Sequence, residues 1–367
     1  MEQWGGALES VVVESGFKSY DGKKVLVTGH TGFKGSWLCL WLNQLGAKVS
    51  GYALEPPTSP SLYQDAGIEE LLSSSTRSDV RDLAALAVAV DLADPDIIFH
   101  LAAQSLVRAS YKDPVETFST NIIGTVNLLE TVRRRKRPCV VIVVTSDKCY
   151  ANTGQVWGYR ECDPMGGDDP YSASKGAAEL VVHGYRQSFF LPDSVQSHGV
   201  KLATARAGNV IGGGDWAKDR IVPDIIRSIS QSETVKIRNP DAVRPWQHVL
   251  EPLAGYLNLG QNMLQSDDPS LIDGWNFGPG ADDCRPVQEL VNEVFRHWPG
   301  TFDVDSRTHP EEAGYLTLSS EKARKSLGWR PRWSFSEAVR NTVRWYRNEE
   351  QICARQRCEA DLWDFCR

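Results

Sequence analysis

Residues 24–38, Lys-Val-Leu-Val-Thr-Gly-His-Thr-Gly-Phe-Lys-Gly-Ser-Trp-Leu, constrain this chain more than any other stretch. An apolar run, Val25 to Val27, ends at Thr28. Three glycines follow at three-residue spacing, Gly29, Gly32 and Gly35, and an apolar, helix-periodic segment continues through Leu45. The order reads strand, tight turn, helix. Gly29 allows the turn, Gly32 lets a pyrophosphate approach the backbone, and Gly35 lets helix and strand pack closely. The helix N-terminus then offers free N–H groups and the positive end of its dipole to an anion. A purely structural glycine turn is the competing reading. The strand before the motif and the α/β pattern after it favour a nucleotide site.

The rest of the chain keeps that alternation. Residues 47–54 read as a second strand, and Pro56-Pro57-Thr58-Ser59-Pro60 forces a loop. A polar, serine-rich segment leads to Asp82, and residues 83–92 are apolar, alanine-rich and helical. Residues 96–103 form a buried strand that leaves into a small-residue turn. Residues 121–134 and 171–189 are helical. Residues 140–144 are a nearly continuous β-branched run, as a central parallel strand requires, and 200–205 is a further strand. The pattern predicts an α/β fold, a doubly wound parallel sheet with right-handed crossovers. Beyond about residue 205, Gly212-Gly213-Gly214, Asn239-Pro240 and Gly278-Pro279-Gly280 interrupt shorter elements, which predicts a smaller C-terminal lobe closing over the cofactor. The expected division is an N-terminal extension 1–20, a nucleotide-binding domain 21–205 continuing in part into later segments, a mainly substrate-binding lobe 206–346, and a charged tail 347–367.

A net charge of −7 argues against nucleic acid as partner, and Arg133-Arg134-Arg135-Lys136-Arg137 reads as the solvated end of a helix. The eight cysteines form no CxxC pair and no Cys/His cluster, so reduced thiols and no metal site are expected. No apolar run approaches membrane-spanning length, and residues 1–20 lack a basic-then-apolar signal. A cytoplasmic protein with a short helical leader is the expectation.

Tyr171 and Lys175 stand four residues apart, on one face of a helix. A lysine ammonium beside a phenol lowers its pKa, so that the phenolate can act as a base toward an alcohol. A surface pair is the alternative, but Thr145-Ser146-Asp147-Lys148 clusters at the C-terminal end of the central strand, where open α/β sheets place their sites.

Together these features resemble the extended short-chain dehydrogenase/reductase family, and within it the NAD-dependent nucleotide-sugar dehydratases. The resemblance rests on the glycine pattern, His100-Leu101-Ala102-Ala103, the Ser/Thr after the central strand and the Tyr/Lys pair. The Thr-Asp-Glu triplet of those enzymes falls on Ser146, Asp147 and Lys148, with lysine in place of glutamate. That departure, with residues 29–37, 145–150, 206–216 and 244–251, resembles the branch that acts on CDP-glucose. The resemblance spans residues 24 to 346 and implies a Rossmann-type fold, NAD as cofactor and CDP-glucose as substrate. It also implies entry into deoxysugar biosynthesis for bacterial surface polysaccharide such as lipopolysaccharide O-antigen.

The implied chemistry oxidises the sugar at C4, eliminates water across C5 and C6, and returns the hydride to C6. Tyr171 is the implied base, tuned by Lys175. Asp147 is the implied acid for the departing C6 hydroxyl, and Ser146 the hydrogen-bond donor to the C4 oxygen. Lys148 is either the base at C5 or a charge partner that orients Asp147. The implied cofactor shell is Gly29, His30, Thr31, Gly32, Phe33, Lys34, Gly35, Asp79, Val80, Leu101, Ala102, Ala103 and Asn121, with Tyr171 and Lys175 at the nicotinamide ribose. His30 and Lys34 either contact phosphate or face solvent. The place of the strand-two acid that binds the adenine ribose falls near Ala53, with Glu55 slightly late. Ser105, Asn209, Arg220 and Arg244 are implied at the substrate, and Arg suits a forked phosphate contact. For Arg220 an ordinary surface ion pair with Asp219 or Asp224 is the alternative. His248 reads as a packed structural histidine. Trp216 and Trp246 either flank the base or pack in the core.

A nucleotide-sugar 4-epimerase would share Tyr171, Lys175 and NAD without requiring Asp147 and Lys148. A non-catalytic dinucleotide sensor is the rival outside enzymes. The resemblance also implies a homodimer through helices 121–134 and 171–189 of each subunit, or a tetramer built from such dimers.

Overall fold

The computed structural model describes residues 16–305 and 314–367. The first fifteen residues of the expected extension lie outside it. Seven parallel strands form one sheet: β1 (Lys24–Thr28), β2 (Lys48–Ala53), β3 (Ser74–Arg77), β4 (Ile97–His100), β5 (Cys139–Val144), β6 (Val200–Ala207) and β7 (Gly274–Phe277). Their order is β7-β6-β5-β4-β1-β2-β3, so the direction of winding reverses between β1 and β4. Val25 pairs with Val49 on one side and Ile97 on the other. The fold is the doubly wound sheet the alternation implied.

The flanking helices that matter for the site are α1 (Phe33–Gln44), α2 (Leu83–Ala93), α3 (Gly124–Arg135) and α4 (Pro170–Phe189). Asp82 caps α2 through the Ala85 N–H. Asp169 caps α4 through the Ser172 N–H, with Pro170 at the first helical position, where its missing N–H costs nothing. By contrast α1 starts at Gly32 with no side-chain cap, which leaves its first N–H groups free for a ligand. Every residue of α1 from Gly35 to Leu42 is buried. The helix is covered on all sides because the C-terminal helices close over its outer face. Among these are α5 (Leu250–Gln265), α6 (Phe335–Arg347) and α7 (Ala354–Cys366). Phe365 of α7 meets Trp41 of α1 edge-on at 5.8 Å and Trp333 at 5.1 Å, so the expected charged tail is a packed helix.

Two strands lie where the sequence pattern did not place them. β3 is the serine-rich segment Ser-Ser-Thr-Arg, an edge strand with no buried residue, whose only sheet neighbour is β2. β7 comes from beyond residue 205 yet joins β6 at the other edge. The nucleotide-binding layer therefore reclaims chain from the later segment. The second lobe holds three short strand pairs and the helices Ile221–Ser230, Val287–His297 and α6, around Ile225, Leu290, Val291, Ala338 and Val339.

Candidate active site

A cleft of about 1610 Å³ opens across the C-terminal ends of the strands and passes under the second lobe. Such a crevice at the reversal point of an open sheet is where α/β proteins bind ligands. The glycine turn forms one wall. A Cβ on Gly35 would stand 2.2 Å from the Gly29 carbonyl oxygen, and one on Gly29, whose φ is +75°, 2.7 Å from the Ala102 nitrogen. These contacts hold the turn, α1 and the loop after β4 together more closely than any side chain permits. Gly32 has only an ordinary contact, so its place in the motif leaves backbone open to a ligand. Thr31 Oγ1 bonds the Leu54 carbonyl at 2.9 Å, and the Ala102 N–H bonds Thr28 Oγ1 at 3.2 Å. With the uncapped N-terminus of α1, this cradle fits a dinucleotide pyrophosphate.

Thr31, Phe33, Asp79, Val80, Leu101, Ala102 and Ala103 all line the cleft. The Asp79 carboxylate is held by Arg81 at 2.6 Å, and that hydrogen bond keeps its pKa below the usual range. Asn121 is not in the cleft wall. It lies buried, donating to Ser174 Oγ of α4 at 2.8 Å and to the Gln104 carbonyl, and accepting from the Gln104 N–H. It ties the loop after β4 to the helix that carries Tyr171.

Neither expectation for His30 holds. Its ring is fully buried beneath β2, bonded at Nε2 to Ser75 Oγ and Arg77, both at 2.9 Å. Gly51 makes the room, since a Cβ there would stand 2.4 Å from the ring. Burial and then Arg77 push its pKa down to about 4. Lys34 does not face solvent. Its ammonium turns into the cleft, 3.4 Å from the Tyr256 hydroxyl, and burial with the nearby Arg220 and Lys175 lowers its pKa to about 7.

Ser146, Asp147, Lys148, Tyr171 and Lys175 meet at the centre of the cleft. The turn after β5 is capped by Ser146, whose Oγ accepts from the Lys148 N–H at 3.2 Å and donates to Asp147 Oδ1 at 2.9 Å. The other Asp147 oxygen is buried without a partner. Burial raises the pKa of Asp147, against the pull of Lys148, Ser146 and Arg244. The Lys148 ammonium makes no hydrogen bond or ion pair among the described residues. Lys175 makes no hydrogen bond to the Tyr171 phenol among the described residues. Its Nζ points to the Val144 carbonyl at 3.4 Å, and its own pKa falls to about 8 because it is buried. Burial pushes the Tyr171 phenol up to about 12, with Ser146 and Arg220 acting in the opposite direction.

Ser105, Asn209, Arg220 and Arg244 line the far side. Arg220 pairs with Asp215 at 2.9 Å and donates to Ser105 Oγ at 3.1 Å. Asp219 instead pairs with Arg108 and Arg238, and Asp224 with Arg227 and Arg238. Arg244 is buried on the strand Val243–Pro245. His248 is packed edge-on against Trp37 and Trp333. Trp246 is buried with its Nε1 on the Arg285 carbonyl, whereas Trp216 borders the cleft.

The sequence profile of the GDP-mannose 4,6-dehydratase family matches residues 26–342. The CDP-glucose 4,6-dehydratase of Salmonella typhimurium is 51% identical over 330 residues, spanning 89% of this chain and 91% of that protein. The chain belongs to the GDP-mannose 4,6-dehydratase family. Among solved structures, a dTDP-glucose 4,6-dehydratase of Streptomyces venezuelae with NAD bound superposes with a TM-score of 0.75. It is 22% identical, and the match covers 89% of this chain and 98% of that one. The UDP-glucose 4-epimerase of Thermus thermophilus, in complex with NAD, gives 0.73 at 25% identity, covering 89% and 99%.

Several cleft features of this dehydratase-family chain were not legible in sequence. The inward turn of Lys34 depends on Tyr256 of α5, more than two hundred residues away. Asp215, the partner of Arg220, carried one signal, its place directly after three glycines. A buried pair beneath the centre, Arg206 of β6 with Glu179 of α4 at 2.8 Å, carried none. Glu179 also accepts from Thr145 and Thr204, and Arg206 donates to the Tyr150 hydroxyl.

Proposed function

We propose that this chain is a lyase that converts CDP-D-glucose to CDP-4-dehydro-6-deoxy-D-glucose and water, with NAD as its cofactor. The observation that carries the reading is the 51% identity to a CDP-glucose 4,6-dehydratase over nearly the whole chain. When bound, NAD would supply a hydride acceptor for C4, a hydride donor for C6 and a positive charge that favours the Tyr171 phenolate.

The residues divide the remaining work. Tyr171 takes the C4 hydroxyl proton. Its high pKa in the buried pocket keeps it a phenol until cationic charge arrives. Ser146 holds the C4 oxygen by hydrogen bonding. Asp147, whose protonated form burial favours, gives its proton to the departing C6 hydroxyl, and its unpartnered Oδ2 is the oxygen free to do so. Lys148 is the base for the C5 proton. Once hydride reaches C6, the Lys148 ammonium returns its proton to C5, and the proton that Tyr171 took from the C4 hydroxyl passes through solvent to the Asp147 carboxylate, which resets all three groups. Arg220 and Arg244 bind the diphosphate.

In this reading the chain divides at about residue 205, with the cofactor on the sheet side and substrate under the later lobe. For the assembly, the reading is a homodimer, with tetramers as a further step. Support comes from apolar side chains left exposed along the two helical segments, Ile123, Leu180 and Phe189 among them. A cytoplasmic location agrees with eight free thiols and with the lack, among the described residues, of a helix long and apolar enough to cross a membrane.

The test is incubation with CDP-, dTDP-, UDP- and GDP-glucose and NAD, with products read by mass spectrometry. Loss of one water from CDP-glucose is the expected result. Unchanged mass with a new C4 epimer would overturn the dehydratase reading in favour of an epimerase.

A further inference from the structure

The adenosine end of the cleft holds a cluster of charges that the reaction does not use. Glu55 lies just past the end of β2 and lines the cleft, beside Ala53, Leu54 and Thr58. Arg77, the last residue of β3, lies behind it. Its Nε is 3.5 Å from the Glu55 carboxylate, and NH2 is 3.6 Å from Glu69. NH1 meets His30 Nε2 at 2.9 Å and Ser75, and the guanidinium lies over the Tyr63 ring at 4.8 Å. Every edge of the guanidinium is therefore engaged, and its Nε edge reaches the cleft wall through Glu55.

The two strand ends make this the place where an open sheet of this type meets the adenine ribose. There a carboxylate binds a 2′-hydroxyl, and an arginine accommodates a 2′-phosphate. This chain carries both groups, joined as an ion pair. Exposure decides which one a ribose meets. The Glu55 side chain is 78% exposed and Glu69 66%, while Arg77 is 24% exposed. The charge count points the same way, because two carboxylates face one guanidinium, and the neutral His30 adds nothing. A phosphate dianion there meets uncompensated negative charge, whereas a hydroxyl can donate to the carboxylate.

We propose that Glu55 selects NAD over NADP in this chain, and that Arg77 is a latent 2′-phosphate acceptor kept occupied by Glu55. The proposal rests on the NAD-dependent reading and assigns the discrimination that Ala53, at the usual place, cannot supply.

Dissociation constants for NADH and NADPH test it, measured by energy transfer from the protein's tryptophans to the reduced nicotinamide, so that no turnover is needed. The unaltered protein is expected to prefer NADH. Glu55→Gln is expected to shift the NADPH/NADH affinity ratio toward NADPH by about tenfold or more, the size of one charged hydrogen bond. The double variant Glu55→Gln/Arg77→Gln is expected to lose the gain in NADPH affinity. Thermal melting checks that the exposed site leaves the fold intact. An unchanged ratio in Glu55→Gln, with NADH still bound, would overturn this proposal alone. A gain that survives in the double variant would overturn the role of Arg77. Failure of the unaltered protein to bind either cofactor would overturn the NAD reading and the proposal with it.

Discussion

The Ser146 hydroxyl donates to Asp147 Oδ1 at 2.9 Å and leaves Oδ2 buried and without a partner. One oxygen fixes the carboxyl while the other is free to exchange a proton, and burial favours the protonated form. Asp147→Asn keeps the shape and the Ser146 contact but cannot deliver a proton. Formation of the 4-keto-6-deoxy product is expected to fall by about 10²–10⁴-fold, with CDP affinity unchanged. Steady-state product assay and calorimetric CDP titration read the two quantities, and full turnover by this variant would remove Asp147 from the acid role.

Lys34 sits among like charges, with its pKa lowered to about 7 first by burial and then by Arg220 and Lys175. It therefore changes charge in the range where the enzyme works. Lys34→Met is expected to remove an inflection near pH 7 from the kcat/KM profile for the nucleotide sugar, because that profile reports ionisations of the free site. An unaltered profile would mean that Lys34 keeps a fixed charge.

The Glu179–Arg206 pair is 5–6% exposed and joins α4 to β6, with Thr145 at the end of β5 donating to Glu179. Glu179→Gln leaves a buried guanidinium uncompensated. Urea unfolding is expected to show a loss of about 3–5 kcal/mol, since breaking one side of a buried pair costs more than the pair contributes. A loss under about 1 kcal/mol would show that water reaches Arg206.

Three buried histidines each lower stability in acid. Burial holds His30 at about 4 and both His100 and His248 at about 3. All three are neutral in the folded state at neutral pH. Below their ordinary pKa of about 6.5 the unfolded chain takes up protons that the folded chain refuses. The stabilisation is complete above about pH 6.5 and lost as pH falls toward 4, with a limiting slope of about 1.4 kcal/mol per pH unit for each histidine. Buried Glu251 and Asp361, both held up at about 7, act in the opposite sense over the same range. The histidine contribution is therefore read by difference: between pH 7.5 and 5.5, urea unfolding of His248→Asn is expected to differ in slope from the unaltered protein by one proton. An identical pH dependence in His248→Asn would show that this ring is protonated while folded.

Much of the architecture was legible locally. β1, the glycine turn and α1 follow from one short run of residues, and β5 from an unbroken β-branched segment. Helix α4 announces itself through Asp169, Pro170 and its periodic apolar positions. In each case neighbours along the chain carry the signal, whether as periodicity, capping or glycine geometry. The same local signals placed Ser146, Asp147, Lys148, Tyr171 and Lys175 at strand and helix ends that the fold brings to one cleft.

Tertiary structure alone decided the rest, because those features depend on pairings between distant residues. β3 is polar and becomes a strand only by hydrogen bonding to β2, and β7 enters the sheet only because β6 offers an open edge. Lys175 turns to the Val144 carbonyl rather than the phenol, Lys34 turns inward to Tyr256, and His30 fills the space that Gly51 leaves. Glu55 and Arg77, on two different strand ends, meet only when β2 and β3 pair. Residue types and local periods are written in the sequence; which charge faces which, and how deeply each is buried, follows from the packing.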